Sequence, residues 1–267
     1  MAHSLVVLHS GLQCPWHGWV VFQAKEAAER LQATFDVIDI WSDREASEHY
    51  RVFCPFLVVM DESVRLSSPF SADEIEAFAR SGVPQAEAEP VAPREDGVPD
   101  EIVPLTPSNL MDSARVCGCQ AGCREMVAKQ DWYLRLAEET GSETIGLIGY
   151  RENEAVCHAE FFPASLSPFP LPDESPQTAV IHCLYNLEEG PDFRTALLRS
   201  VVDHLTGRGY RRILAVTGRT SPAPNGPAAS YANIGFREVA EVDRLLLKRG
   251  WETLVLMEWL PQETPPD

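Results

Sequence analysis

Thiols are the first side chains in this sequence whose types and spacing can do chemistry. Cys14-Pro15-Trp16-His17 sets a cysteine at the start of a helical pattern, where a helix N-terminus and a neighbouring imidazole can lower a thiol pKa and make it nucleophilic. Cys54, just before Pro55, can serve as its partner if the fold brings the two together, and an ordinary, unreactive Cys14 is the alternative. Cys117-Gly118-Cys119-Gln120-Ala121-Gly122-Cys123 places three cysteines in seven residues, a grouping that can take a soft metal or respond to oxidants. Structural zinc takes four ligands, so Cys117, Cys119 and Cys123 need a fourth from Cys157, His158, His182 or Cys183. Without it, Gly118 and Gly122 simply set a helix-end turn.

A second set lies in the stretch Thr178 to Thr217, which reads as strand, tight loop, amphipathic helix, strand. Val180 to Leu187 is largely apolar, Leu197, Leu198, Val201, Val202 and Leu205 recur at helical spacing, and Gly207 and Gly209 end the helix before Ile213 to Val216. Such a unit aims the unpaired N–H groups of a helix start at whatever lies beyond the loop, and phosphate is the usual guest. The third set handles protons: Tyr231, Glu160, His158 and His182.

Bulk properties bound what these groups can serve. A chain of 267 residues exceeds the usual single-domain size, and 45% apolar content fits a globular protein. No apolar run approaches the eighteen or so residues of a membrane span, and no Lys or Arg precedes Leu5-Val6-Val7-Leu8, so a secretory signal is not expected. The expectation is a cytoplasmic protein. Forty acidic against twenty-two basic residues give a net charge of −18, which disfavours nucleic acid and anionic membranes as partners. Screening confines exposed charges to about 8 Å at physiological salt, so Arg194, Arg199, Arg208, Arg211 and Arg212 can still set a local field. Seven cysteines, an odd number, fit reduced thiols better than a disulfide framework.

The elements that must position these groups fall in two blocks. Residues 1–83 read βαβαββα: Leu5 to His9, a helix through Val20 to Leu31, Phe35 to Trp41, Arg44 to Arg51, Phe53 to Met60, a hairpin return at Val64 to Leu66, and a helix capped by Ser71. Residues 84–100 are rich in Pro, Ala, Glu and Asp, a linker composition expected to stay extended and hold the blocks apart. Residues 101–267 supply a strand at Glu101 to Leu105, a helix over Ser108 to Val116, a helix over Lys129 to Glu138, and a hairpin of Thr144 to Tyr150 with Ala155 to Phe162. A proline-rich loop to Pro176 then leads to the Thr178 unit and two last strands, with Leu245-Leu246-Leu247 expected to meet substrate or another subunit and a polar tail from Pro261.

The second block resembles the cofactor half of GNAT acyltransferases, in the order strand, loop, helix opening on Leu197-Leu198, strand, then Tyr231-Ala232-Asn233-Ile234-Gly235-Phe236. That resemblance implies an N-acetyltransferase with acetyl-CoA as cofactor. The family loop, Arg/Gln-x-x-Gly-x-Gly/Ala, falls on Glu189, Asp192 and Arg194, with Gly190 and Pro191 between. It implies pantetheine contacts at Leu184 and Asn186 and pyrophosphate contacts at Gly190, Asp192, Phe193, Arg194, Thr195 and Ala196. A carboxylate at Asp192 repels phosphate unless it points away, and Arg194 can offset it. Asn225 resembles the CoA-contacting asparagine at a shift of one position, and Tyr231 matches the tyrosine that protonates the leaving thiolate. For the base, Glu160, His158 and His182 are candidates, with Glu160 taken as the catalytic carboxylate.

The first block resembles a thioredoxin fold, with Cys14 between strand and helix. The family's proline, cis and facing the reactive cysteine, matches Pro55, while its second cysteine is replaced by His17. The cysteine-rich patch, Lys129-Gln130-Asp131-Trp132 and Ile181-His182-Cys183-Leu184-Tyr185 are similar to a YoaP-like branch of the acetyltransferases, which carries an appended thioredoxin-like domain. The expected architecture is therefore α/β: an N-terminal thioredoxin-like domain (1–83), a linker (84–100) and a C-terminal GNAT-like domain (101–267) with a mixed, mostly antiparallel sheet. The acyl acceptor is a small-molecule or protein amine, and the sequence sets no oligomeric state. The competing reading is a thiol or metal sensor that uses Cys14 and the Cys117, Cys119, Cys123 patch on a degenerate acyltransferase scaffold.

Overall fold

The computed structural model describes residues 3–119 and 122–261, so Gln120 and Ala121 of the cysteine run and the tail beyond Pro261 lie outside the described residues. The first block forms β1 (Ser4–His9), α1 (His17–Leu31), β2 (Thr34–Asp39), α2 (Arg44–His49), β3 (Phe56–Met60), β4 (Val64–Leu66) and α3 (Ala72–Ser81). Local chemistry sets several of these limits. Asp43 accepts from the Ala46 amide to start α2, and Ser71 and Glu74 form a reciprocal capping box at α3. The sheet order is β2-β1-β3-β4, with β1 and β2 parallel and the other pairs antiparallel.

β3 is buried at every position, which explains its unbroken apolar run. One face packs on α1 and α3 through Val20, Ala24, Ala27, Val58 and Ile75, while Leu57 and Val59 face a core shared with Trp132, Tyr133 and Phe162 of the second block.

The second block comprises β5 (Glu101–Pro104), α4 (Ser113–Val116), α5 (Arg124–Thr140), β6 (Gly146–Arg151), β7 (Glu154–Pro163), β8 (Thr178–Asn186), α6 (Arg194–Gly207), β9 (Arg212–Gly218), α7 (Ala228–Ala232), β10 (Arg237–Leu247) and β11 (Gly250–Trp259). Its strands run β10-β11-β9-β8-β7-β6-β5, antiparallel except for β8 with β9. The sheet is thus mixed and mostly antiparallel. Among the described residues, no helix is long and apolar enough to cross a membrane.

Three expectations are corrected. The helix over Ser108 to Val116 is a 3-10 turn at Leu110–Asp112 followed by α4, because Asn109 and Ser113 bond their own neighbouring backbone. Leu245-Leu246-Leu247 is buried inside the chain: β10 meets β4 at Leu246 and Leu66, and both leucines enter the first block's core. The linker does not hold the blocks apart. Trp251 exchanges backbone bonds with Ala86 and Ala88 at 2.9 and 2.7 Å, and Arg94 donates to the Leu187 and Glu188 carbonyls at 2.7 and 2.6 Å. An extended proline-rich strand keeps free N–H and C=O groups, and here they find partners.

Candidate functional site

The two blocks meet over a cavity of about 20 Å3, room for one water-sized group, lined by Gln13, Cys14, Pro15, Trp16 and Pro55 from the first and Cys117, Lys129, Glu160, Cys183 and Tyr185 from the second. The Trp16 indole N–H donates to the Cys117 carbonyl at 2.8 Å and helps hold the wall. At its base Lys129 and Glu160, 1% and 0% exposed, form a buried ion pair, and Gln13 Nε2 donates to the second Glu160 oxygen at 3.0 Å. Burial pushes the Glu160 carboxyl up, but Lys129, His158 and these hydrogen bonds together hold it below its usual range. Burial likewise pulls Lys129 down, and Glu160 with the nearby thiols more than reverses it. A carboxylate held this way is charged at neutral pH and a weak proton acceptor.

His158 stands beside the pair and stacks on Tyr185 at 6.0 Å, its pKa lowered to about 4 by burial and by Lys129. His182 is not in this cavity. It stacks on Phe169 at 3.9 Å, near Phe162 and Trp41, with neither ring nitrogen partnered, and burial lowers its pKa to about 3.

The cysteines sort differently from expectation. Cys14 is raised to about 12 by burial, so the low-pKa thiol expected at the helix start is absent. His17 turns its Nδ1 to the Cys14 carbonyl at 2.7 Å rather than to the thiol. Cys54 is buried, donates to the Phe56 carbonyl at 3.2 Å, and is also raised to about 12 by burial. Both are free thiols, and Cys54 does not line the cavity. Pro55 does line it with Cys14, but the bond before it is trans, the default for proline; its carbonyl accepts from the Ser10 amide at 2.8 Å. Of the run Cys117, Cys119 and Cys123, only Cys117 lines the cavity, while Cys119 and Cys123 are half-buried outside it.

On the other side of β8 lies the expected cofactor region. β8 and β9 pair from Thr178–Arg212 to Ile181–Ala215 and then part, so Leu184 and Asn186 have no β9 partner. Tyr231 is fully buried with its hydroxyl unpartnered, and burial raises its pKa, so it keeps its proton. Asn225 donates to the Val216 carbonyl at 2.9 Å and leaves its own carbonyl oxygen unpartnered.

The loop before α6 engages its own chain through Asp192, Phe193 and Arg194. Asp192 grips the Arg194 guanidinium with oxygens at 2.5 and 2.9 Å and accepts from the Arg194 amide at 3.0 Å. The Phe193 amide donates to Asn186 Oδ1 at 2.7 Å, and the Asp192 amide to the linker carbonyl of Glu95 at 2.8 Å. Gly190, at φ +82°, makes the turn that brings these groups together. Thr195 and Ala196 follow in the first turn of α6. The parting of the strands, the Tyr231 hydroxyl and the Asn225 carbonyl oxygen leave polar groups without partners on this face, whereas an anion at the Arg194 guanidinium would first have to displace the Asp192 carboxylate.

Lys129 and Gln13 are site residues that sequence reasoning did not single out. A signal for Lys129 exists: Met126, Lys129, Tyr133 and Leu136 share the buried stripe of α5, so a lysine occupies a core position of an amphipathic helix. Gln13 sits in a 3-10 turn and had no such signal.

No family model matches the sequence, and no curated protein matches it at a significant level. Solved structures that align with part of this chain include acetyltransferases. The ribosomal-protein-alanine N-acetyltransferase from Brucella melitensis aligns at 17% identity and TM-score 0.44, covering 60% of this chain and 99% of that one. The protein yncA from Salmonella typhimurium, solved with its cofactor acetyl-CoA, aligns at 15% and 0.47, covering 62% and 96%. A GNAT-superfamily phosphinothricin acetyltransferase from Sinorhizobium meliloti, also with acetyl-CoA, aligns at 15% and 0.44, covering 62% and 92%. At these scores the likeness by itself assigns neither family nor activity.

Proposed function

We propose that this chain is a cytoplasmic GNAT-type N-acetyltransferase that moves acetyl from acetyl-CoA to an amine, with residues 1–83 as a thioredoxin-like module closing the acceptor side of its sheet. The observation that carries this reading is the parting of β8 from β9 beyond Ile181, with a buried, unpartnered Tyr231 hydroxyl among the residues packed on that face. Bound acetyl-CoA supplies an activated acyl thioester. The backbone of Leu184 and Asn186, free of β9, holds the pantetheine arm, and Asn225 offers its unpaired carbonyl oxygen. Tyr231, kept neutral by burial, holds the proton that the departing thiolate needs. Gly190, Phe193, Arg194, Thr195 and Ala196 receive the pyrophosphate once the Asp192 carboxylate yields Arg194.

On the opposite face Glu160, charged and fixed by Lys129 and Gln13, is the carboxylate on the acceptor side, and its lowered pKa suits it to hold the amine by charge rather than to take its proton. The strand order β2-β1-β3-β4 and the placement of Cys14 beside Pro55 support the thioredoxin-like module. Seven reduced thiols suit a reducing compartment. The test is acetyl transfer from isotope-labelled acetyl-CoA to a panel of small amines and peptide N-termini, read by mass spectrometry. Labelled product that depends on Tyr231 supports the reading; saturable cofactor binding with no acetylated amine across the panel removes it.

A further inference from the structure

Beside the ion pair, three side chains converge on one atom. Cys117 Sγ, Cys183 Sγ and Glu160 Oε1 each lie 3.7 Å from His158 Nε2. For Glu160 that distance is too long for a hydrogen bond, and for the thiols it is a weak contact. It is close to a different quantity. A tetrahedral zinc ion with sulfur at about 2.3 Å and imidazole nitrogen at about 2.0–2.1 Å sets its S and N ligand atoms about 3.6 Å apart. The ligand atoms of His158, Glu160 and Cys183, all on buried residues, lie within 4.8 Å of one another, a group that does not include Cys117.

We propose that His158 and Cys183, with Cys117 drawn in as the second sulfur, form a binding site for one thiophilic divalent cation of the zinc type, at the junction of the two blocks. The donor set is two sulfurs and one imidazole, which favours zinc over magnesium or calcium. The site is distinct from Cys119 and Cys123, which stay outside the cavity, and it stands independently of the acetyl-transfer reading. The adjoining cavity, lined by Cys117, Cys183 and Cys14, has room for a water-sized occupant. Its fourth position therefore opens on Glu160 and on a thiol of the first block.

The charge balance closes. Lys129 and Glu160 cancel one another, and a divalent cation that replaces the protons of Cys117 and Cys183 leaves the buried cluster as neutral as before. Binding thus releases two protons to solvent and costs no net buried charge. Because β7 carries His158, β8 carries Cys183 and the turn after α4 carries Cys117, a bound ion ties three separate segments together.

The experiment uses the full-length, reduced protein titrated with Co2+ and then Zn2+. One Co2+ per chain with a thiolate-to-cobalt charge-transfer band, displaced by Zn2+, and a zinc X-ray absorption spectrum with a mixed sulfur and imidazole shell are expected. The Cys117→Ser/Cys183→Ser variant, checked for folding by circular dichroism, should bind at least about a hundredfold more weakly, since loss of an outer-shell partner alone costs 10–100-fold. The Cys119→Ser/Cys123→Ser variant should bind as the parent does. Absence of the charge-transfer band in the unmodified protein, an all-oxygen zinc shell, or loss of binding in the Cys119/Cys123 variant overturns the proposal, and the first two need no variant that might misfold.

Discussion

The Asp192 carboxylate holds the Arg194 guanidinium at 2.5 Å and caps the Arg194 amide at 3.0 Å, so two groups that suit an anion already have one. Burial pushes Asp192 up, but its bonds to Arg194 hold its carboxyl below the usual range, so it remains a carboxylate at neutral pH. Releasing one charge-assisted hydrogen bond is worth about 1.5–3 kcal/mol. Asp192→Asn is therefore expected to bind acetyl-CoA at least about tenfold more tightly, measured by calorimetry; equal or weaker affinity would show that Asp192 does not compete with the phosphates.

The linker adds a second closure over the same loop. A Cβ on Gly97 would come within 2.6 Å of the Phe193 ring and 2.7 Å of Pro191 Cβ, closer than side chains tolerate. Gly97→Val should lift this segment, free the Asp192 amide from Glu95, and speed amide hydrogen exchange at residues 192–194 while leaving exchange in β1 and β3 as it was. Unchanged exchange at 192–194 would place the covering role elsewhere.

Tyr231 separates chemistry from stability. Its hydroxyl is buried without a partner, so Tyr231→Phe removes an unsatisfied group and should leave the melting temperature equal or higher. Turnover should fall by about a hundredfold or more, with acetyl-CoA affinity unchanged. A variant that is both less stable and weaker in binding would assign Tyr231 to packing.

Breaking the Lys129–Glu160 pair on one side leaves a bare buried charge. Lys129→Met is expected to cost about 3–5 kcal/mol in urea unfolding, and Lys129→Met with Glu160→Leu to recover part of that. A loss below about 1 kcal/mol for the single variant would mean that water reaches the pair.

Acid should unfold this protein through its buried histidines. His158 and His182 are held neutral in the fold by burial, with pKa values lowered from 6.5 to about 4 and about 3. The unfolded chain takes up their protons below pH 6.5, so the stability they confer is present above that pH and is lost as pH falls toward 4 and 3. For His158 the loss amounts to about 3 kcal/mol by pH 4. His182→Phe, which keeps the aromatic stack and removes two unpartnered nitrogens, should stabilise by about 1–3 kcal/mol at pH 7 and flatten the acid limb of the urea midpoint against pH. An unchanged acid limb would show that His182 is hydrated or charged in the fold.

Much of this fold was legible in the sequence, because periodicity and caps are local. The βαβαββα order of the first block, the strand-loop-helix-strand unit around α6 and the β6–β7 hairpin all follow from apolar spacing and turn residues. What escaped depends on contacts between distant segments. Leu245 to Leu247 looked like an exposed apolar patch because β4, which covers it, lies far away in sequence. The low Cys14 pKa expected from a helix start failed because the second block buries the thiol, and His17 spends its ring on a carbonyl. His158 and Cys183 could be named only as conditional partners of Cys117, since the register of β7 on β8 and the packing of α4 against β7 bring them near one another.

The proposed acetyl-CoA site lies where β8 leaves β9. Isothermal titration of the full-length protein and of Asp192→Asn with acetyl-CoA tests it most directly. One-to-one binding by both, tighter for the variant, is the predicted result; no heat of binding from either protein at millimolar acetyl-CoA would contradict it.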